Sequence, residues 1–310
     1  MKNVYKLLLA LFSVFAISCS EDIDPVGNFR ETYILNCILN GNDSTQIAIL
    51  TTNYSDKNEK PNDLSVKGAD IRIWIGDSVY TFKEENFTEE NENNKLLSII
   101  YKSEKFVFNK FDTEIEIEAL LKNGKRIKGY SNTPSNVIFD KENSTTIIPG
   151  PNEFFNLQWK GENVRQYFAR LRIIYTEVES GSIHKKIEVP VNLNNNAPVF
   201  NEPDNSNSLI TRKTALDFAM NEISKNNNTK SDFTIYDAEL DILVFDENLS
   251  NYYISTHKEL DAFSVQVDQI DFSNIEGGYG VFASALKINQ PIRIERSYIE
   301  SFGYKDGTPD

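Results

Sequence analysis

The sequence predicts an all-β protein built as two β-sandwich domains, the second carrying one inserted α-helix. Three observations predict it. From residue 32 onward, apolar and polar residues alternate over runs of strand length. Gly, Asn and Asp cluster between those runs, where turns would fall. A single window, TALDFAMNEISK, changes to a helical period.

The first domain is drawn at 32–135. Tyr33, Leu35, Cys37 and Leu39 share one face, and QIAILTT answers as a second strand after Asn40-Gly41-Asn42-Asp43. ADIRIWIGDSVYTF pairs two strands around Gly76-Asp77, with Ile71, Ile73 and Ile75 on one face and Trp74 on the other. LLSIIYKS and KFVFNKF follow. TEIEIEALLKNGKRIKGYSNT is a hairpin in which Ile115 and Ile117 alternate with glutamates and Asn123-Gly124 supplies the φ > 0 turn. Six or seven short strands over roughly 100 residues describe a sandwich of immunoglobulin-like type. A pair of disulfide-forming cysteines around a central tryptophan is missing, so the domain is not of antibody type.

The second domain, 136–310, follows the polar stretch KENSTTIIPGP. FFNLQWKG and VRQYFARLRIIYTEV open it, a tryptophan strand then a tyrosine strand that resembles fibronectin type III modules. Residues 192–208 read as a long polar loop of the kind that contacts partners. The helix near 211–225 puts Ala215, Leu216, Ala219, Met220 and Ile223 on one stripe, suited to packing on a sheet. NLSNYYISTHKELDAF is expected to be partly helical, and FSNIEGGYGVFASALKI and PIRIERSYI close the chain as strands.

The N-terminus stands apart from both domains. Lys2 and Lys6 precede the apolar run Leu7–Ile17, which has the length of a secretory signal and falls short of the about 20 residues of a membrane span. Ala16, Ser18 and then Cys19 resemble the lipobox of bacterial lipoproteins. That resemblance implies cleavage of residues 1–18 and diacylation of Cys19; the alternative is an ordinary secretory signal that carries a cysteine. Ser20, Glu21 and Asp22 resemble the surface-export signal of Bacteroidetes lipoproteins, with a plain solvated tether as the alternative. Two or three acyl chains on Cys19 would hold the protein to a membrane, since each buried methylene contributes about 0.8 kcal/mol. Residues 19–31 then form an acidic tether, whose twelve residues from Ser20 to Glu31 extend to roughly 40 Å.

Loss of residues 1–18 removes Lys2 and Lys6 from the 32 basic residues set against 46 acidic ones, taking the net charge from −14 to −16. Such a balance argues against nucleic acid or an anionic bilayer surface as partner. With Cys19 acylated, Cys37 has no partner for a disulfide or a cysteine zinc site, and it reads as a buried small hydrophobe.

Catalytic signals are weak. His184 and His257 sit in no HExxH, and no GxSxG elbow precedes a helix, so both are read as exposed and idle and no catalytic residue is assigned. With 46 acids, carboxylate pairs on one face arise by chance. No DxDxDG spacing supports calcium, and neither a metal nor a cofactor is expected. Gly278 and Gly280, preceded by Gly277, lie in a formal GxGxxA, but VFASALKI after them is β-like rather than helical. They read as a structural turn or bulge, with a binding loop as the alternative. Aromatics are 20 Phe and 14 Tyr against 2 Trp, and a sugar-stacking platform among them has no assignable residues at this level.

FSNIEGGYGVFAS, NYYIST some twenty residues before it and TYILNCILNGN resemble, over about residues 30–290, a family of Bacteroidetes lipoproteins classed as a domain of unknown function. Members are commonly encoded beside SusC-like TonB-dependent receptors. The resemblance implies a lipid-anchored, surface-facing outer-membrane protein; the family has no assigned reaction, and the chain is read as non-enzymatic, with a hydrolase as the remaining alternative. It would act as the binding or accessory partner of such a receptor and of a nutrient or glycan ligand. The competing expectation is an adhesive or glycan-binding surface protein with no transporter partner.

Overall fold

The computed structural model describes residues 31–53, 64–91, 94–108, 111–139, 146–147, 154–161, 166–178, 183–227, 229–257 and 272–307. Cys19, Ser20, Glu21 and Asp22 lie outside the described residues. The chain is mostly β, in large mixed sheets with three short helices.

In chain order the strands are β1 (Tyr33–Asn40), β2 (Gln46–Thr52), β3 (Asp70–Ile75), β4 (Ser78–Asn91), β5 (Asn94–Ser103), β6 (Glu114–Leu120) and β7 (Arg126–Asn132). Next come β8 (Ile138–Phe139), β9 (Thr146–Ile147), β10 (Phe154–Lys160), β11 (Tyr167–Glu177), β12 (Lys185–Val189), β13 (Asn192–Asn194), β14 (Ala197–Val199) and β15 (Ser208–Arg212). Helix α1 (Lys213–Ile223), β16 (Phe233–Phe245), α2 (Glu247–Thr256), β17 (Ile275–Glu276), β18 (Phe282–Ile294), α3 (Arg296–Ser301) and β19 (Lys305–Asp306) complete the chain.

The pairing order β12-β11-β16-β18-β1-β2-β5-β4-β3-β6-β7-β17 runs through one extended sheet. Its register follows the alternation in the sequence. Tyr33, Leu35, Cys37 and Leu39 of β1 are buried, as are Ile71, Ile73 and Ile75 of β3 and Ile115 and Ile117 of β6. They form one apolar cluster with Ile127, Tyr101 and Phe82. β4 serves two neighbours, pairing with β3 through Ser78–Phe82 and with β5 from Lys83 onward. A second cluster packs Tyr167, Leu171, Leu240 and Ile242 against Leu216, Met220 and Ile223 of α1.

β18 joins these regions. Its first residues pair parallel to β1 (Cys37 opposite Phe282) and its later ones antiparallel to β16 (Phe245 opposite Ala285, Ala238 opposite Ile292). Phe282 accordingly belongs to the first cluster, while Ile292 and Ile294 belong to the second. Such a parallel pair between residues far apart in sequence cannot be read from local alternation.

Two expectations need correction. The tail SYI is helical in α3 rather than strand, so the chain carries more than the one inserted helix; α2 falls where a partly helical segment is expected, capped by Asp246, which accepts from the Leu249 N–H at 2.7 Å. The polar stretch 192–208 is not structureless, because β13 and β14 pair as a hairpin. Its turn is Asn195-Asn196, both at positive φ, a conformation asparagine tolerates better than most residues.

Among the described residues, no helix is long and apolar enough to cross a membrane. Cys37 is fully buried and its thiol is pushed up to about 12 by desolvation. A Cys19→Ala chain is therefore expected to resist iodoacetamide until it is unfolded. Labelling of the native chain at the unfolded rate would contradict that burial.

Candidate functional site

The glycine block ties β17 and β18 to the strands β7 and β1. Ile275 and Glu276 pair with Gly129 and Lys128 of β7, and after five intervening residues β18 begins against β1. The chain between must cross closely over both strands. Gly277, at φ +76°, passes Arg126: a Cβ there would lie 2.7 Å from its carbonyl oxygen. A Cβ on Gly278 would lie 2.6 Å from the Tyr33 oxygen, and one on Gly280, at φ +120°, 2.1 Å from the Leu35 oxygen. Tyr279 between them donates to the Tyr33 carbonyl and accepts from the Leu35 N–H, each at 2.8 Å. No helix follows, so the geometry is that of a strand crossing and not of a phosphate loop.

Side chains lock this crossing. Asn274 accepts from the Phe282 N–H at 2.9 Å and donates to its carbonyl at 2.7 Å and to the Tyr130 carbonyl at 3.1 Å. Asn248 of α2 donates to the same Tyr130 carbonyl and to Ser131 Oγ, both at 2.8 Å. Beneath them Asp246 accepts from Ser131 Oγ and, at 2.9 Å, from the Ser284 N–H. Desolvation raises the Asp246 carboxyl from 3.8 to about 6, against the opposing pull of those donors. This buried network binds β7, α2 and β18 together at one place.

Above the network opens a cleft of about 900 Å3. Its floor is the outer face of β3, β6 and β7, where Trp74 stands opposite Glu116 and Glu116 opposite Tyr130. Two strand spacings separate the aromatic residues, about 10 Å. Glu114 and Asn132 form the next row outward, and Glu247 and Asn248 at the start of α2 close one side. Asp112 and Gly76 lie at the rim.

The charges there are unbalanced. Of the described residues lining the cleft, none is Lys or Arg. Among the described residues, Glu114 and Glu247 make no ion pair, and the Trp74 and Tyr130 rings stack on no other ring or cation. Neighbouring cations are engaged in the adjacent rows. Lys128 bridges Glu116 at 2.9 Å and Glu118 at 3.1 Å, which holds its ammonium well above the ordinary lysine value. Arg72 pairs with Asp70 at 2.6 Å.

A second polar cluster is paired within itself. On β11, β12, β16 and β18, Arg172 pairs with Asp241 at 2.7 Å, Lys186 with Glu239 at 2.5 Å, and Asn289 bonds both acids. His184 lies against the Tyr236 ring and His257 stacks on Tyr253; both are exposed, and neither lines the cleft. Among the described residues no group of three or more His, Cys, Asp or Glu side chains is placed to hold a metal ion.

Sequence reading alone does not nominate this cleft. Its one visible signal is Trp74, the aromatic set opposite three isoleucines, beside glutamates that alternate with Ile115 and Ile117. The Asp246, Asn248 and Asn274 network left no periodic trace. No protein-family model matches the chain, and no curated protein matches it.

Proposed function

We propose that this protein is a lipid-anchored outer-membrane lipoprotein that binds without catalysing. In this reading it faces the cell exterior and works as the accessory partner of a TonB-dependent receptor. The observation that carries the reading is the N-terminal run SVFAISCSEDIDP, an apolar segment ending on Cys19 and followed at once by acids. Acylation of Cys19 supplies the anchor, and residues 19–31 supply a tether that lifts the folded part clear of the lipid headgroups. The two large apolar clusters are read as two immunoglobulin-like sandwich modules sharing β18. An open cleft, set on paired strands and stiffened by the buried Asp246 network, supports a binding role, since a rigid floor keeps the ordering cost of association low.

Cys19→Ala is expected to abolish labelled-palmitate incorporation and release the protein from membranes. Unchanged incorporation would remove the lipoprotein reading. Alanines at Ser20, Glu21 and Asp22 are expected to leave lipidation intact but hide the protein from protease added to whole cells. Equal shaving of mutant and wild type would remove the export reading. Recovery of a TonB-dependent receptor with the tagged native protein tests the partnership directly.

A further inference from the structure

We propose that the cleft over β3, β6 and β7 is a saccharide site for a neutral or amino-substituted oligosaccharide, with Trp74 and Tyr130 as its stacking platforms. This rests on the reading of the protein as a binding module and names its ligand class.

Two features of the cleft restrict the ligand. Its floor carries two aromatic side chains, half-buried Trp74 and exposed Tyr130, about 10 Å apart in one cross-strand row, and among the described residues neither stacks on another ring or a cation. Between and beside them stand Glu116, Glu114 and Glu247, carboxylates that can only accept hydrogen bonds. A matching molecule must therefore present apolar faces and hydrogen-bond donors together, at repeated intervals. A sugar ring does so: its C–H face lies on an aromatic ring while hydroxyls around its edge donate to acceptors.

Competing ligands use only part of this arrangement. An apolar chain would cover the rings but strip water from Glu114 and Glu247 with nothing in return. A small cation would satisfy the carboxylates but cannot span both rings. Phosphorylated, sulfated or uronic sugars would meet Glu114 and Glu247 with no Lys or Arg in the lining to offset the repulsion, Lys128 being already held by Glu116 and Glu118. The volume of about 900 Å3 is at the large end for ligand pockets and suits several sugar units rather than one.

Trp74 also furnishes the readout. The other tryptophan, Trp159, is buried, so a ligand in the cleft should alter the emission of Trp74 alone. The full chain in a non-glycosidic detergent would be titrated with cellohexaose, maltohexaose, xylohexaose, mannohexaose and a chitosan hexamer. Spermidine would serve as a plain polycation and a galacturonic acid hexamer as an anionic sugar. The expected result is saturable binding of at least one neutral or amino sugar, seen by fluorescence and calorimetry. Trp74→Ala and Tyr130→Ala should each weaken it about tenfold or more, roughly 1.4 kcal/mol, with unchanged melting. Failure of the whole sugar panel to bind would overturn the proposal. So would binding indifferent to both substitutions, tighter binding of the galacturonic hexamer, or binding of spermidine alone. Recovery of the bound sugar intact leaves the proposal and the non-catalytic reading standing. Recovery of shortened sugar keeps the site and overturns only that reading. Failure of every sugar leaves the palmitate and shaving results untouched.

Discussion

Gly280→Ala is expected to destabilise the protein by about 4 kcal/mol, lowering the melting temperature by roughly 10 °C, or to prevent accumulation of folded chain. Two costs add. At φ +120° an L side chain is strained, and the new Cβ would lie 2.1 Å from the Leu35 carbonyl oxygen, which is held in the β1 ladder. Relief would mean pulling β18 off β1 and breaking the Cys37–Val281 backbone bond of 2.8 Å. Gly76 is the internal comparison. It too has positive φ, +53°, but nothing lies within 4 Å of its Cβ position. Gly76→Ala should cost only about 1 kcal/mol. Thermal melts of the two variants separate close approach from backbone angle, and equal losses would mean that the strand crossing tolerates a methyl group.

The second large effect is expected at Asp246. Asp246→Ala removes the cap of α2 and leaves the N–H groups of Leu249 and Ser284 without their acceptor in the interior. At neutral pH the loss should be about 2 kcal/mol. It should grow on acidification, for the following reason. The carboxyl titrates at about 6 when folded, against 3.8 when free. Between those values the folded chain holds a proton that the unfolded chain has released. Asp246 thus contributes most below pH 3.8, and that contribution fades as pH rises through 6. The gap between wild type and Asp246→Ala should widen by up to about 3 kcal/mol from neutral pH to about pH 4. Other titrating groups cancel in the comparison. A gap that stays constant in denaturant melts across this range would show that Asp246 titrates at its ordinary value.

Much of the fold is legible in the sequence where periodicity is strong. Ile71, Ile73 and Ile75 bury one face of β3 and leave Trp74 outside, as strict alternation requires. The α1 stripe Ala215, Leu216, Ala219, Met220 and Ile223 is the buried face of that helix. Short elements were less legible. α3 spans six residues, too few for a periodic signal, and the 192–199 hairpin is nearly all polar, so composition made it look like loop.

The sequence by itself determined which residues turn inward and where the chain turns, because those choices depend on neighbours two to four positions away. Its N-terminal motif also sets the expectation of where the protein resides. Tertiary structure alone decided that β18 would lie parallel to β1, some 245 residues away in the chain, with Asn36 Oδ1 accepting from the Val281 N–H at 3.0 Å. It alone brought Glu247 and Asn248 beside Trp74, Glu116 and Tyr130 to make a cleft. The physical reason is that long-range pairing is chosen by the burial of whole faces and the satisfaction of their backbone groups. Local alternation states that a face is apolar, but any apolar face of matching length would satisfy it. Only the close passage that glycine permits at Gly277, Gly278 and Gly280 selects this partner.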